Sequence, residues 1–417
     1  MNGLQRIAIL GAGVAGISAA HILQNKFEVW LFEKDTRLGG HTHTHQVTGV
    51  QGQTHFIDSG FIVFNERNYP NFVKFLQDLE VETQASNMSF SFDSPTRDFF
   101  YAGTNLNGLF AQRKNLFRKD FWRCFSEVPR FFSVGSKVLE EENGSISLGE
   151  LLTSHNFKRE FIDLYLLPMG AAIWSTPANE MLKFPALSFL KFWKNHGLLD
   201  LLNRPQWRTV TGGSHQYVHK FESRFKGKIL KGASIQKIQR SAEKVSVFLE
   251  SNSFVFDKII FATHANQILP LLADPSEEET NAFGVWRYKK NPTVLHSDRS
   301  VLPAKKRAWA SWNYREFSKD RIAVSYHMNR LQSISSNIDY CVSLNWPEQI
   351  PSSKVIAQMN YEHPLYDRAS VAAQNSIKKL NGQNRTYFCG SYLGNGFHED
   401  AVRSSVETAK SLGVIWG

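Results

Sequence analysis

Cysteine is scarce in this chain of 417 residues, and neither a long apolar run nor a low-complexity tract occurs in it. The three cysteines, Cys124, Cys341 and Cys389, lie far apart and form no CxxC pair. That excludes a disulfide framework and a zinc ribbon, and it fits a reducing compartment. The longest apolar stretch, residues 164–174, covers 11 positions and is broken by Pro168 and Gly170, whereas a bilayer-spanning helix needs roughly 20. The first residues lead straight into Ile7-Ala8-Ile9-Leu10-Gly11, without the charged, apolar and small-residue succession of a secretion signal. The expectation is a soluble or peripheral protein of the cytoplasm.

The length accommodates two or three domain-sized units and excludes a stapled mini-protein. Charged residues at 21% and hydrophobic ones at 42% exclude a disordered chain. Two quantities are in excess: a formal net charge of +10 and an aromatic content of 13%. Together they call for an anionic or apolar partner, which could be a nucleic acid, a membrane surface or an apolar substrate bearing an acid.

The first forty residues carry the clearest pattern. A short apolar β-run ends in Gly11-Ala12-Gly13-Val14-Ala15-Gly16, and a helical pattern through Ile17, Ala20 and Leu23 follows. In a strand–GxGxxG–helix unit Gly11 permits the tight turn, Gly13 lets backbone approach a pyrophosphate, and Gly16 lets helix and strand pack closely. A second β-run ends in Glu33, at the spacing where a carboxylate accepts ribose hydroxyls and repels a 2′-phosphate. The pattern predicts dinucleotide binding and leaves NAD, NADP and FAD open.

Lys34-Asp35-Thr36-Arg37-Leu38-Gly39-Gly40 comes next, then Phe56-Ile57-Asp58-Ser59-Gly60-Phe61. These stretches resemble the ExxxRxGG extension and following Asp-x-Gly strand of the FAD-dependent amine oxidase, protoporphyrinogen oxidase and phytoene desaturase superfamily. The strand Lys258-Ile259-Ile260-Phe261-Ala262-Thr263-His264 is similar to its middle FAD-binding segment, and Tyr387 to Ala401, with Gly390 and Gly396, to its last. The resemblance implies FAD as cofactor. It implies contacts from Gly11, Gly13, Val14, Ala15, Gly16, Glu33 and Lys34. Arg37 would neutralise the pyrophosphate, while Gly39, Gly40, His41, Ser59, Gly60 and Phe61 line the ribityl and flavin. It also places backbone at Ile235 against adenine, and Ala262, Thr263, Gly390, Ser391, Asn395, Gly396, Phe397 and His398 around the flavin. Ser391 stands where the superfamily often has an acidic residue. The helix opening near His398 would stabilise charge on the flavin pyrimidine.

The implied fold is α/β: an FAD-binding Rossmann-type domain of the glutathione reductase kind, made of 1–85, 206–270 and 381–417. A mixed α+β substrate domain of 86–205 and 271–380 is inserted in it. Gly39-Gly40-His41, the Asp58-to-Arg67 stretch, Ala308 to Tyr314 and Gly396-Phe397-His398-Glu399-Asp400 look closest to bacterial flavoproteins encoded beside cyclopropane fatty acyl phospholipid synthases. That likeness implies a hydride-transfer step on a lipid acyl chain, with a methyltransferase as partner. The alternatives are an amine oxidase proper, or a non-redox FAD-dependent isomerase or flavin-holding subunit. No catalytic residue beyond the cofactor can be assigned, and no lysine can be placed beside the flavin.

Three further features have competing readings. His41, His43 and His45 would share one face of an extended strand, yet no carboxylate or cysteine accompanies them, so no metal site is expected. His264, His327 and His398 are acid–base candidates, and Cys389 on its apolar run reads as core. Residues 110–137 combine Arg113, Lys114, Arg118, Lys119 and Arg123 with Phe117, Phe121 and Trp122. They predict an amphipathic helix that rests on an anionic membrane or packs on the substrate domain; residues 184–196 repeat the theme more loosely. No nucleic-acid-binding module accompanies the charge, so nucleic acid is not an expected partner.

Overall fold

The computed structural model describes residues 4–49, 51–141, 146–174, 176, 178–199, 205–318 and 321–417. Residues 1–3 of the expected first-strand lead-in, and 200–204 at the end of the expected 86–205 segment, lie outside the described residues. A five-stranded sheet holds the ends of the chain together. Its strands, in spatial order, are Lys228–Leu230, Glu28–Phe32, Arg6–Leu10, Lys258–Phe261 and Thr386–Phe388. All are parallel. Numbered along the chain the order is 3-2-1-4-5, the doubly wound arrangement, with its reversal point between the first and fourth strands. Strands buried on both faces read as continuous apolar runs, and Ile7, Ala8, Ile9, Ile259, Ile260 and Phe261 are each fully buried.

One face of this sheet carries the helices Val14–Leu23 and His398–Ser411, packed on each other. The Ser405 hydroxyl donates to the Ala15 carbonyl at 2.8 Å between them. The other face carries an antiparallel meander, Ile235–Arg240, Val245–Leu249 and Ser253–Phe256, whose Phe254 and Phe256 meet Trp30 and Phe32. Helices Glu277–Phe283 and Arg368–Leu380 join that side. Phe283, Ile377 and Leu380 share a core with Ile259, Phe261 and Phe388, although both helices fall within 271–380. The Trp and Tyr residues between 271 and 380 suggest short strands separated by polar turns, but Ala373, Ile377 and Leu380 have helical spacing and lie on the buried face of Arg368–Leu380.

A seven-stranded sheet forms the second layer, ordered Val355–Leu365, Arg287–His296, Cys341–Leu344, Arg321–His327, Trp312–Ser318, Phe90–Ser94 and Phe99–Ala102. The sequence predicts a half-buried strand from Ser86 with alternating faces. Instead the strand is Phe90–Ser94, an interior strand buried at every position, because Phe90 and Phe92 join an apolar core while Ser91, Asp93 and Ser94 are covered by Asn313, Arg315 and Glu316. A helical layer contains Lys119–Glu141, Leu148–Ser154, Leu167–Trp174 and Ala186–Asn195. Asp58 ties the layers together. Its carboxylate accepts from Thr44 Oγ1, the Ser214 amide and hydroxyl, and Gln332 Nε2, while its own amide donates to Gln332 Oε1. Burial raises its pKa to about 6 against the lowering by these donors. Among the described residues no helix is long and apolar enough to cross a membrane.

Arg240 pins the meander to the sheet. Its guanidinium donates to both oxygens of Glu279 at 2.5 and 2.8 Å, and the two side chains are 2% and 3% exposed. Breaking one partner of such a pair strands a buried charge. Glu279→Gln is expected to cost about 3–5 kcal/mol in denaturant unfolding, and the apolar pair Arg240→Met with Glu279→Leu to recover most of it. An unfolding midpoint unchanged in Glu279→Gln would refute this account of the clamp.

Candidate functional site

Because all five strands run the same way, their C-terminal ends release five loops on one edge. Backbone hydrogen bonds carry the ladder a residue further: Gly11 donates to Phe32, Ala262 to Leu10, Glu33 to Leu230 and Cys389 to Phe261, at 2.8–3.0 Å. The sheet thereby gathers the predicted residues from distant parts of the chain.

The glycines of the first loop differ in what surrounds them. Gly11 has φ +94, and a Cβ there would lie 2.8 Å from the Ala262 carbonyl oxygen. A Cβ on Gly16 would lie 1.8 Å from the Gly11 carbonyl oxygen. Around Gly13 nothing lies within 4 Å of that position. Gly13 precedes Val14–Leu23 without a side-chain cap, and the first helical amide bond runs from Ile17 to the Gly13 carbonyl. The amides of Val14, Ala15 and Gly16 therefore have no partner within the helix, which is the arrangement that binds phosphate.

Glu33 is buried, and its two oxygens accept the Ala12 amide at 2.8 Å and the Asp35 amide at 3.0 Å. Each oxygen keeps a further lone pair for a ribose hydroxyl. Lys34 is exposed at the rim. Ala233 donates to the Glu33 carbonyl, and Ile235 opens the meander two residues on. Arg37, expected at the pyrophosphate, donates to the carbonyls of Gly40 at 2.7 Å and Thr42 at 3.0 Å. It closes the Gly39-Gly40 turn, in which Gly40 has φ +57 and approaches Gly13.

That turn also overturns the single-face expectation for His41, His43 and His45. The strand begins only at Thr44. His43 and His45 stack with centroids 4.1 Å apart, whereas His41 faces Tyr361, His363 and His264 at 5.1, 5.3 and 5.7 Å. Burial lowers the pKa of His41 to about 4, and of His264 and His363 to about 3. These imidazoles are neutral at pH 7. Among the described residues no group of three or more His, Cys, Asp or Glu is arranged to hold a metal ion. Ser59 shares a hydrogen bond of 2.7 Å with Tyr361, and Gly60 passes so near the His41 carbonyl that a Cβ would sit 2.1 Å from it.

The last loop completes the ring. Ser391 begins a short turn, Gly396 has φ +94, and His398 opens the 14-residue helix. His398 stacks on Phe61 at 3.6 Å and shares hydrogen bonds with Thr42 at 3.1 Å and Tyr217 at 3.4 Å. Asp400 accepts from the Asn395 and Phe397 amides. Glu399 accepts from the amides of Asn71 and Phe72, so it caps the helix Pro70–Asp78. Thr263 and His264 follow the fourth strand, and the Tyr288 ring stacks on His264 at 4.6 Å. Cys389 is a buried free thiol, its pKa pushed up by burial. His327 instead lies away from these loops, beside Asp339 at 3.0 Å.

Sequence reasoning missed Tyr288, Tyr361 and His363. The signal was the two-residue spacing of Tyr361 and His363 in Val355–Leu365, whose register places His363 opposite Lys289 and Tyr361 opposite Asn291. The fit to FAD is tested by atoms without partners. Buried His41 Nε2 and Tyr366 Oη have no hydrogen-bond partner among the described residues, and His264 Nδ1 has only the Glu362 carboxylate at 3.7 Å, while Gly13 has open space and the first helix has free amides. Donors for a pyrophosphate and for a polar ring system thus converge on one crevice.

The fold and this crevice define a dinucleotide-binding flavoprotein. The chain belongs to the flavin containing amine oxidoreductase family, whose model matches residues 14–290. It is an FAD-dependent oxidoreductase. Over 98% of its length it is similar to a fatty acid isomerase from P. acnes that produces CLA, with 99% of that chain covered, 15% identity and a TM-score of 0.71. Over 99% it is similar to the cyclohexylamine oxidase of Brevibacterium oxydans IH-35A, with 100% of that chain covered, 14% identity and a TM-score of 0.69. It is 46% identical over 60 residues to the flavin-dependent L-tryptophan oxidase RebO of Lentzea aerocolonigenes, a match spanning 14% of this chain and 12% of that protein.

The two glycines give a paired expectation. Gly16→Ala collides with backbone and should cost ~1–3 kcal/mol of stability. Gly13→Ala should leave the flavin-free protein within about 0.5 kcal/mol of wild type yet purify with far less flavin, read from the visible absorbance per chain. Full flavin content in Gly13→Ala would count against a pyrophosphate at this turn.

Proposed function

We propose that the enzyme oxidises an apolar substrate, most specifically a lipid acyl chain, by removing a hydride equivalent. The observation that carries this reading is an aromatic wall beside the flavin loop. Phe397 stacks on Phe192 at 4.7 Å, and Trp174 meets Phe192 at 4.6 Å. The Trp174 indole N–H donates to the Asn395 carbonyl at 3.2 Å. His196 extends the wall on Phe192 at 3.8 Å, and burial lowers its pKa to about 4, so it is uncharged. Trp174, Phe192 and His196 are themselves buried, with Phe397 the more open ring, so they form an apolar, uncharged backing to the Asn395–His398 loop and supply no carboxylate to an ammonium ion. That a fatty acid isomerase shares the fold supports a fatty substrate; that a cyclohexylamine oxidase shares it keeps amines as the competing class.

FAD, when bound, accepts the two electrons and supplies the chemistry of the step. The chain's own residues bind, orient and dry the site. Amides of Val14 to Gly16 and the end of the helix His398–Ser411 present the positive ends of two helix dipoles. Asp400 fixes the Asn395–Phe397 backbone, and Gln374 donates to the Tyr392 and Gly394 carbonyls at 2.9 and 2.7 Å. The aromatic wall excludes water from the reacting carbon. The neutral His41, His264 and His363 add hydrogen-bonding atoms without charge.

Anaerobic titration separates the classes. Phospholipids and free fatty acids of defined acyl structure should bleach the bound flavin, with a matching loss of two hydrogens from the chain by mass spectrometry. Phe192→Leu, which keeps this buried position filled, should retain its flavin and slow that bleaching at least tenfold, a barrier change of roughly 1.4 kcal/mol or more. Bleaching by amines alone would overturn the acyl reading. Lipid rearranged while the flavin ends oxidised would replace net oxidation with isomerisation.

A further inference from the structure

Eight large hydrophobic side chains are well exposed among the described residues, and four of them stand within one short stretch: Leu106 at 75%, Leu116 at 43%, Phe117 at 89% and Trp122 at 51%. The others, Leu4, Val255, Ile356 and Ile415, each come from a separate segment. The cluster is built rather than frayed. The turn Arg113–Phe117 links helix Leu106–Leu109 to helix Lys119–Glu141. The Trp122 indole N–H donates to the Leu116 carbonyl at 2.9 Å, and Phe110 packs on Trp122 at 6.3 Å. Beneath them Phe121, Cys124, Val128 and Phe131 are buried. The helix therefore uses one aromatic face as core and leaves another facing outward at its N-terminal end.

The charge around this tip is not that of the linear segment alone. Lys114, Arg118 and Arg123 are paired with Asp98, Asp120 and Glu160. Arg113 and Lys119 have no carboxylate partner among the described residues, and both are exposed. The fold adds a second basic run from nearly 200 residues away. The turn Lys306–Ala308 packs against Leu106–Leu109, and Arg307 Nε donates to the Ala111 carbonyl at 2.8 Å, a separation of 196 positions. Lys305, Lys306 and Arg307 are all exposed and without an ion pair among the described residues. Insertable aromatics with a ring of unpaired cations are the two elements of a peripheral anionic-membrane contact.

We propose that this tip, Leu106, Leu116, Phe117 and Trp122 with the Arg113, Lys119 and 305–307 cations, docks on a bilayer containing anionic phospholipid. An acidic protein would match the cations but leaves Phe117 and Leu106 unexplained. A second copy of the chain would place like charges face to face. The inference does not depend on what substrate is oxidised.

The test uses the full-length, flavin-loaded protein and co-sedimentation with phosphatidylcholine vesicles or vesicles enriched in phosphatidylglycerol. Binding is expected only to the anionic vesicles and should weaken as salt is raised. Phe117→Ser with Trp122→Ser should lower the affinity at least tenfold. Lys305→Gln with Lys306→Gln should lower it about twenty-five-fold, taking about fivefold per cation. Flavin content should match wild type for both pairs and certify the fold, and because Trp122 also holds the turn through Leu116, Phe117→Ser alone, at the 89% exposed position, should keep the wild-type melting temperature and still weaken binding. Equal binding to both vesicle types, no binding to anionic vesicles at low salt, or binding indifferent to both pairs of substitutions would each overturn the proposal. So would a dimer by sedimentation that Phe117→Ser dissolves while vesicle binding is unchanged.

Discussion

Everything in this enzyme depends on how closely the first helix approaches the first strand. A Cβ at Gly16 would fall 1.8 Å from the Gly11 carbonyl oxygen, and one at Gly11 would fall 2.8 Å from that of Ala262. Only hydrogen atoms at those two positions let the strand Arg6–Leu10 keep its register with both neighbours while the chain turns at once into Val14–Leu23. The turn sits at the reversal point of the sheet, where the loops of the first and fourth strands diverge and leave a crevice. Five parallel strand ends then deliver residues from positions 11 to 398 to the same edge. Long-range geometry is set by a local steric limit.

The second layer is attached to this edge both by apolar packing, in which Ile57 and Ile62 share a core with Phe92, Leu295 and Tyr314, and by buried polar contacts. Asp58 joins the Thr44 strand, the Ser214 turn and Gln332 of the seven-stranded layer. Ser59 bonds Tyr361 on the long ribbon, and Glu399 caps the helix Pro70–Asp78. Buried polar junctions of this kind are costly unless every partner is met, and they fix one arrangement of the layers in return. The cofactor loops are held from both sides as a result. Around the loops stand the ends of the parallel sheet, the ribbon carrying Tyr361 and His363, which meet His41, and the helix rings Trp174 and Phe192 packed on Asn395 and Phe397.

The parallel core was legible because the centres of its main strands are short apolar runs, Ile7 to Leu10, Val29 to Phe32 and Ile259 to Phe261, and because the spacing of Gly11, Gly13 and Gly16 after the first has a steric reason. The site loops were legible for the same cause. Arg37 has a role that its sequence position does not reveal: its guanidinium donates to carbonyls of its own loop and closes the turn. The histidine triplet misled because alternation applies only where the strand has begun, and Arg37 holds His41 in the turn before it. The ribbon residues Tyr361 and His363 could not be placed, since their meeting with His41 spans more than 300 positions, and Tyr288 reaches His264 only through tertiary packing. The basic turn at 305–307 joined the aromatic tip for a similar reason: tertiary packing, not sequence proximity, brings them together.

The central claim is that one crevice at the strand ends holds FAD. The most direct measurement is electron density from crystals of the purified, flavin-coloured protein. The account predicts a pyrophosphate against the amides of Val14 to Gly16, a ribose at Glu33, and a flavin ring between His41 and the Asn395–His398 loop. A flavin bound elsewhere, or a nicotinamide dinucleotide in that crevice, would contradict it.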